Sequence, residues 1–289
     1  MLKKSPLPNA GWLERILIGL AFTAIGGLII VVFSPWRPLL EPIPDYLGRI
    51  GLIVFLLVTT LLAKRSPRFE KIAPILTGLL IMIVVVSLEW IGAVYLQTFL
   101  GEKGDSPIGF ALSKLNECAL VVTSVILFTR LSGGSLASIY IQKGDLKQGL
   151  RTGLIALGIC IAGAIPMTTL LFKAGDLSLP RVLPWIPWLL LAALANGTLE
   201  ELLFRGLFLR RLQPFFGKFM STFLIALVFT ILHKTVGYTL NEMTFLAVVF
   251  PLALVWGYLT QKTDSLWAAI LFHAGTDLPV FLSIFSSFK

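Results

Sequence analysis

A chain of 289 residues that is 56% hydrophobic and 13% charged, with a mean hydropathy of +0.89, is too apolar for a soluble domain, where about 25% of residues carry charge. The formal net charge is +9, yet the basic residues sit in short stretches between apolar runs and build no basic domain, so a nucleic-acid partner is excluded; they read as topology signals beside anionic lipid. The two cysteines, Cys118 and Cys160, lie in or at the edge of apolar runs and give neither a disulfide framework nor a metal-finger spacing.

Taken in order, the chain predicts a first span over about Trp12 to Phe33, ending at Pro35. Its run from Ile16 to Phe33 is too long for a signal-peptide core, and no small-residue cleavage site comes after it, so it is expected to be retained. The second span covers about Tyr46 to Ala63 and is followed by a basic loop with Lys64, Arg65, Arg68 and Lys71. The third, about Ile72 to Leu100, carries Glu89 within it, for which a structural hydrogen bond is expected. The fourth, about Leu115 to Leu131, is entered through Lys114 and Glu117, whose i, i+3 spacing predicts a solvated pair. Residues 132–151 open with Ser-Gly-Gly-Ser and then mix Ile139, Ile141, Leu146 and Leu150 with Lys143, Asp145 and Lys147, the pattern of an interfacial amphipathic segment.

The fifth span is about Thr152 to Phe172, and the sixth Trp185 to Phe204 with a polar extension to Leu212. The seventh is about Phe219 to Tyr238, the eighth Thr244 to Thr260, and the last Leu266 to Phe285. Trp185, Trp188 and Trp267 near span ends read as interface anchors. The sequon Asn196-Gly-Thr198 falls inside a span, which argues against glycosylation. The fold class is thus an all-α polytopic membrane protein, a bundle of eight to nine transmembrane helices in one integral unit: residues 1–151 give the N-terminal helices, and 152–289 carry the chemistry. With nine spans and the N-terminus cytoplasmic, 16 of the 24 basic residues fall inside, from Lys3, Lys4 and Arg15 through the group Arg205 to Lys218 to Lys262.

The chemistry centres on Glu200 and Glu201. An acid at the centre of a membrane helix costs roughly 2.5 to 3.5 kcal/mol on insertion scales, so two in succession call for a function. The chain has two histidines, His233 and His273, both in later apolar runs. Pro214 and Gly217 mark a turn between spans six and seven. From Glu200 to Leu212 is 12 residues, about 18 Å of helix, and from Lys218 to His233 is 15, about 22 Å; Asp264 to His273 adds 9 residues, roughly 14 Å. An antiparallel hairpin and the last span therefore bring the acids and both histidines into one layer below the cytoplasmic surface. Glu201 and Arg205 are i, i+4 and can pair, leaving Glu200, about 100° round the helix, free to face the bundle. His273 and Asp277 share a face by the same spacing. A desolvated carboxylate of this kind suits a general base.

Three patterns occur in order: EExxxR (Glu200, Glu201, Arg205), FxxxH (Phe229, His233) and HxxxN/D (His273, Asp277). Over about Trp185 to Phe285 the sequence resembles the CAAX protease and bacteriocin-processing (Abi, or CPBP) family, intramembrane endopeptidases that include the type II CAAX prenyl proteases. The resemblance implies peptide hydrolysis. Glu200 would take a proton from a water with help from His233, Glu201 would stand with Arg205, and His273 and Asp277 on the last span would stabilise the oxyanion. The family commonly has Asn at the final motif position. Here it is Asp277, and an ionised carboxylate cannot donate to an oxyanion. Asp277 then carries its proton, or orients a histidine, or leaves donation to His273. In a fourth option Glu200, His233, His273 and Asp277 ligate zinc; the metal-free mechanism is favoured. The expected partners are a peptide or membrane-protein substrate and the lipid bilayer, with cleavage near the cytoplasmic leaflet of what reads as a prokaryotic plasma membrane. A catalytically inactive scaffold or immunity protein is the alternative. A transporter fits less well, since no repeat and no paired Gly/Pro-broken spans occur.

Overall fold

The structure, a computed structural model, describes residues 11–34, 39–99, 105–235 and 239–288. Lys3, Lys4, Pro35, Leu100 and Tyr238, on which part of the charge count and three span ends rest, lie outside the described residues. Among the described residues the secondary structure is helical apart from one isolated bridge between Phe172 and Thr239. The α-helices are α1 (Trp12–Gly27, continued by a π-helical turn Leu28–Val32), α2 (Pro42–Arg65), α3 (Ala73–Phe99), α4 (Pro107–Leu131), α5 (Leu146–Leu171), the short α6 (Leu179–Val182), α7 (Ile186–Glu201), α8 (Leu207–Leu232), α9 (Glu242–Thr263) and α10 (Trp267–Ser286).

Among the described residues, eight helical segments are long and apolar enough to cross a membrane, in keeping with the all-α polytopic class. One of them, Leu179–Leu232, runs for 54 residues. A straight helix of that length would measure about 80 Å, far more than the ~30 Å hydrocarbon layer. It is broken at Gly217 (φ 68, ψ −175), three residues after Pro214, where the turn signals placed the end of the sixth span. Three of the helices start at a side-chain cap. Ser106 accepts from the Gly109 amide with Pro107 at the first helical position, Asp145 accepts from Gln148, and Asn241 from Thr244. The Ser106 cap starts α4 eight residues before the predicted Leu115, so Lys114 and Glu117 stand inside a span and not at its mouth.

Lipid tails are as apolar as leucine, so helices in a bilayer associate through close packing at small residues. Here α10 is the hub. It packs on α5, where Gly153 lies against Leu271, and Gly275 against Cys160 and Leu157. It packs on α7 at Gly197, where a Cβ would stand 3.1 Å from both the Ala274 amide nitrogen and the Ile270 carbonyl oxygen. Apolar side chains such as Leu154 and Ile155 on α5 and Ile50 and Val54 on α2 point outward.

Residues 132–151 divide into a single 3-10 turn (Leu136–Ile139), a linker, and the first turns of α5. Ile139 and Tyr140 point into the protein. Tyr140 lies under the Arg210 guanidinium at 4.3 Å and accepts from Gln213 at 3.1 Å; burial pushes its phenol up from the ordinary value, and Arg210 pulls the other way. Gln142 donates to the Asp264 carbonyl and carboxylate, both at 2.7 Å, and so fastens this linker to the α9–α10 turn.

Candidate active site

The site grows from the last turns of α7. Asn196 and Glu200 are one turn apart on one face, and Glu201 comes next. The helix then widens into a π-helical turn, Leu202–Gly206, which holds Arg205. One extra residue in a turn shifts the register of the succeeding helix by about 100°. Glycine at 197 lets the backbone of α10 come close, and this brings His273 and Asp277 against the acids of α7.

Glu201 is fully buried, and its Oε1 accepts twice: from Arg205 Nη1 at 2.9 Å and from His273 Nδ1 at 2.7 Å. Arg205, also fully buried, donates through Nη2 to the Ala253 carbonyl on α9 at 3.1 Å and lies over the Phe229 and Trp256 rings at 4.5 and 5.1 Å. The predicted i, i+4 pair is therefore present, and Arg205 is a core residue that drops out of the loop charges used for topology. Trp256 stacks flat on His273, with centroids 4.0 Å apart and planes 3° from parallel. The imidazole is thus held in plane by a carboxylate and over its face by an indole.

Glu201, paired with Arg205, can only accept, so His273 Nδ1 carries the proton and Nε2 is left for the site. That Nε2 faces Glu200 Oε2 at 3.4 Å and Asp277 Oδ1 at 3.6 Å. The other oxygens of these two acids are bridged by one side chain. Asn196 Nδ2 donates to Glu200 Oε1 at 3.2 Å and to Asp277 Oδ2 at 3.0 Å. Glu200 Oε2 is buried on the cavity wall with no hydrogen-bond partner among the described residues; Glu201 Oε2 and Arg205 Nε beside it are likewise buried without one.

His233 stands apart from this cluster. Its Nδ1 donates to the Phe229 carbonyl at 3.0 Å, and its ring lies against Phe229 and Phe245. The imidazole in contact with the glutamate pair is that of His273, while His233 shares their cavity. The cavity measures about 560 Å³; its polar wall comprises Lys114, Asn196, Glu200, His233, His273, Thr276 and Asp277, and most of the rest is apolar, including Met167, Val248 and Phe272.

Lys114 and Glu117 correct the expectation of a solvated pair. They bond at 2.6 Å with side chains only 12% and 13% exposed, because α4 starts early and turns them inward beside α7. Glu89 on α3 is buried, and its Oε1 has no partner. Asn196 and Trp256 were not singled out for chemistry from the sequence. A lone amide four residues before Glu200 in an apolar run was the available signal for the first; nothing local signalled the second. As for a metal, no group of three or more His, Cys, Asp or Glu side chains among the described residues is placed to hold one.

Fold and site together define a multi-pass helical membrane protein with a buried carboxylate–imidazole–guanidinium cluster that opens on an internal cavity. Compared with known families, residues 182–279 match the model of the type II CAAX prenyl endopeptidase Rce1-like family. The matched stretch contains all three motifs, and the resemblance to CAAX proteases drawn from them is borne out there. Comparison with curated proteins and with solved structures gives no match.

Proposed function

We propose that the protein is an intramembrane endopeptidase that hydrolyses a peptide bond with a glutamate-activated water. The observation that carries this reading is the unpartnered Glu200 Oε2, buried on the cavity wall 3.4 Å from an imidazole nitrogen, within a stretch that matches an endopeptidase family. A water on Glu200 Oε2 gives up a proton as its oxygen bonds to the scissile carbonyl carbon, and the carbonyl π electrons move onto oxygen. Glu200 then returns that proton to the amide nitrogen as the C–N bond breaks.

Oxyanion stabilisation needs an N–H that faces the cavity, and each histidine already donates its Nδ1–H, to Glu201 and to the Phe229 carbonyl. Three carboxylates surround His273 and would balance the charge of a ring with N–H at both nitrogens. The hydrogen bond of His233 runs instead to a main-chain carbonyl, and its ring neighbours are aromatic. The oxyanion therefore falls to His273, in place as the hydrogen bonds of such sites must be, and His233, which lines the same cavity, assists the water. The substrate class is a peptide or membrane-protein segment at the cytoplasmic leaflet, with the N-terminus of the chain cytoplasmic. The charge distribution between spans supports that orientation.

Glu200→Gln tests the reading. Glutamine keeps the shape and the carbonyl that Asn196 needs, and it removes the base, so turnover should fall about 10² to 10⁴-fold with folding retained. Membranes holding wild-type or Glu200→Gln protein, compared by terminal-peptide proteomics, should differ in the cleaved species. Identical termini in both would sink the proposal and leave a binding scaffold.

A further inference from the structure

We propose that Asn196 is a positioning residue of this site, the amide that sets the orientation of Glu200 and Asp277 about His273; the inference rests on the peptidase reading above. Asn196 is buried on α7 and reaches two carboxylates, one on its own helix and one on α10. Ionised carboxylates only accept, and an amide nitrogen has two N–H groups, so one side chain satisfies one oxygen of each acid. The oxygens it holds are Glu200 Oε1 and Asp277 Oδ2. Those left over, Glu200 Oε2 and Asp277 Oδ1, are the ones that face His273 Nε2 at 3.4 and 3.6 Å. Without the amide, Glu200 can turn about its terminal bond, and nothing distinguishes a base oxygen from a bonded one. The two acids would also stand side by side with no donor between them. The bridge crosses the α7–α10 contact beside Gly197, so it fixes the reacting groups of the two helices in a single geometry.

The test uses the purified full chain in detergent, with Asn196→Ala, Asn196→Asp, and the exchange Asn196→Asp with Asp277→Asn. Two readouts are taken: kcat and KM on a peptide cleaved by wild type, and thermal unfolding, which needs no substrate. Asn196→Ala should lower kcat about 10 to 10²-fold with little change in KM, the signature of lost orientation. Asn196→Asp removes the donor and should melt lower than wild type. The exchange restores a donor between positions 196 and 277 but leaves Glu200 Oε1 without one; it should raise the melting temperature above that of Asn196→Asp while kcat stays low. A wild-type kcat in Asn196→Ala overturns the proposal, as does an exchange that melts no higher than Asn196→Asp or one that regains the wild-type kcat. If the exchange rescues melting while wild type cleaves no peptide, the amide bridge exists but the peptidase reading falls, and the positioning role falls with it.

Discussion

Replacing Arg205 with methionine separates what the buried ion pair does for the fold from what it does for His273. Arg205 and Glu201 side chains are 1% and 0% exposed, and their bond is 2.9 Å long. Removing one partner of such a pair strands the other charge and costs about 3 to 5 kcal/mol. Glu201 would keep one bond, to His273 Nδ1 at 2.7 Å. The native pair is also not fully satisfied, because Arg205 Nε and Glu201 Oε2 have no partners. Both facts place the expected loss near the lower end, about 3 kcal/mol. Changing both residues, Arg205→Met with Glu201→Leu, removes both members of the pair and should cost less than the single change, about 2 kcal/mol, because the Ala253 carbonyl loses its donor and the His273 Nδ1–H its acceptor. The double variant nonetheless loses the carboxylate that holds His273, and cleavage should fall about 10²-fold. Unfolding in mixed micelles of rising SDS content, followed by tryptophan fluorescence, measures the first effect, and peptide cleavage the second. A loss below about 1 kcal/mol for Arg205→Met, or full cleavage by the double variant, would refute the assignment of Glu201 as the anchor of His273.

Gly197→Val drives a side chain into the α10 backbone, where even a Cβ would sit 3.1 Å from two main-chain atoms; it should cost about 1 to 3 kcal/mol and suppress cleavage, with unfolding and turnover measured on one preparation. His233→Ala should abolish cleavage yet change stability little, since the His233 side-chain hydrogen bond runs to a carbonyl of its own helix. Asp277→Asn should retain cleavage, because the new amide oxygen can accept from Asn196 as Oδ2 does; activity lost together with a bound metal would instead indicate a ligand role. Elemental analysis of the purified protein should show no stoichiometric zinc, as the proposed glutamate-activated water requires none; zinc at one per chain would overturn that mechanism.

Much of this protein is written along the chain. Apolar run length fixes the number and place of most spans, since the bilayer thickness sets how many residues a crossing needs. Spacing alone pairs Glu201 with Arg205, because i and i+4 lie on one face of any helix. The acids, both histidines and Asp277 stood out because ionisable groups are costly in lipid. What the sequence could not supply is which face each helix turns inward and how closely two helices approach, since both depend on side chains far apart in the chain. The approach of α10 at Gly197 makes His273, and not His233, the imidazole on the glutamate pair, and draws the amide of Asn196 between two acids. The early start of α4 carries Lys114 and Glu117 inward, with Lys114 on the cavity wall, instead of leaving them in solvent. Local spacing names the candidates; the packing of α4, α7 and α10 decides which of them meet.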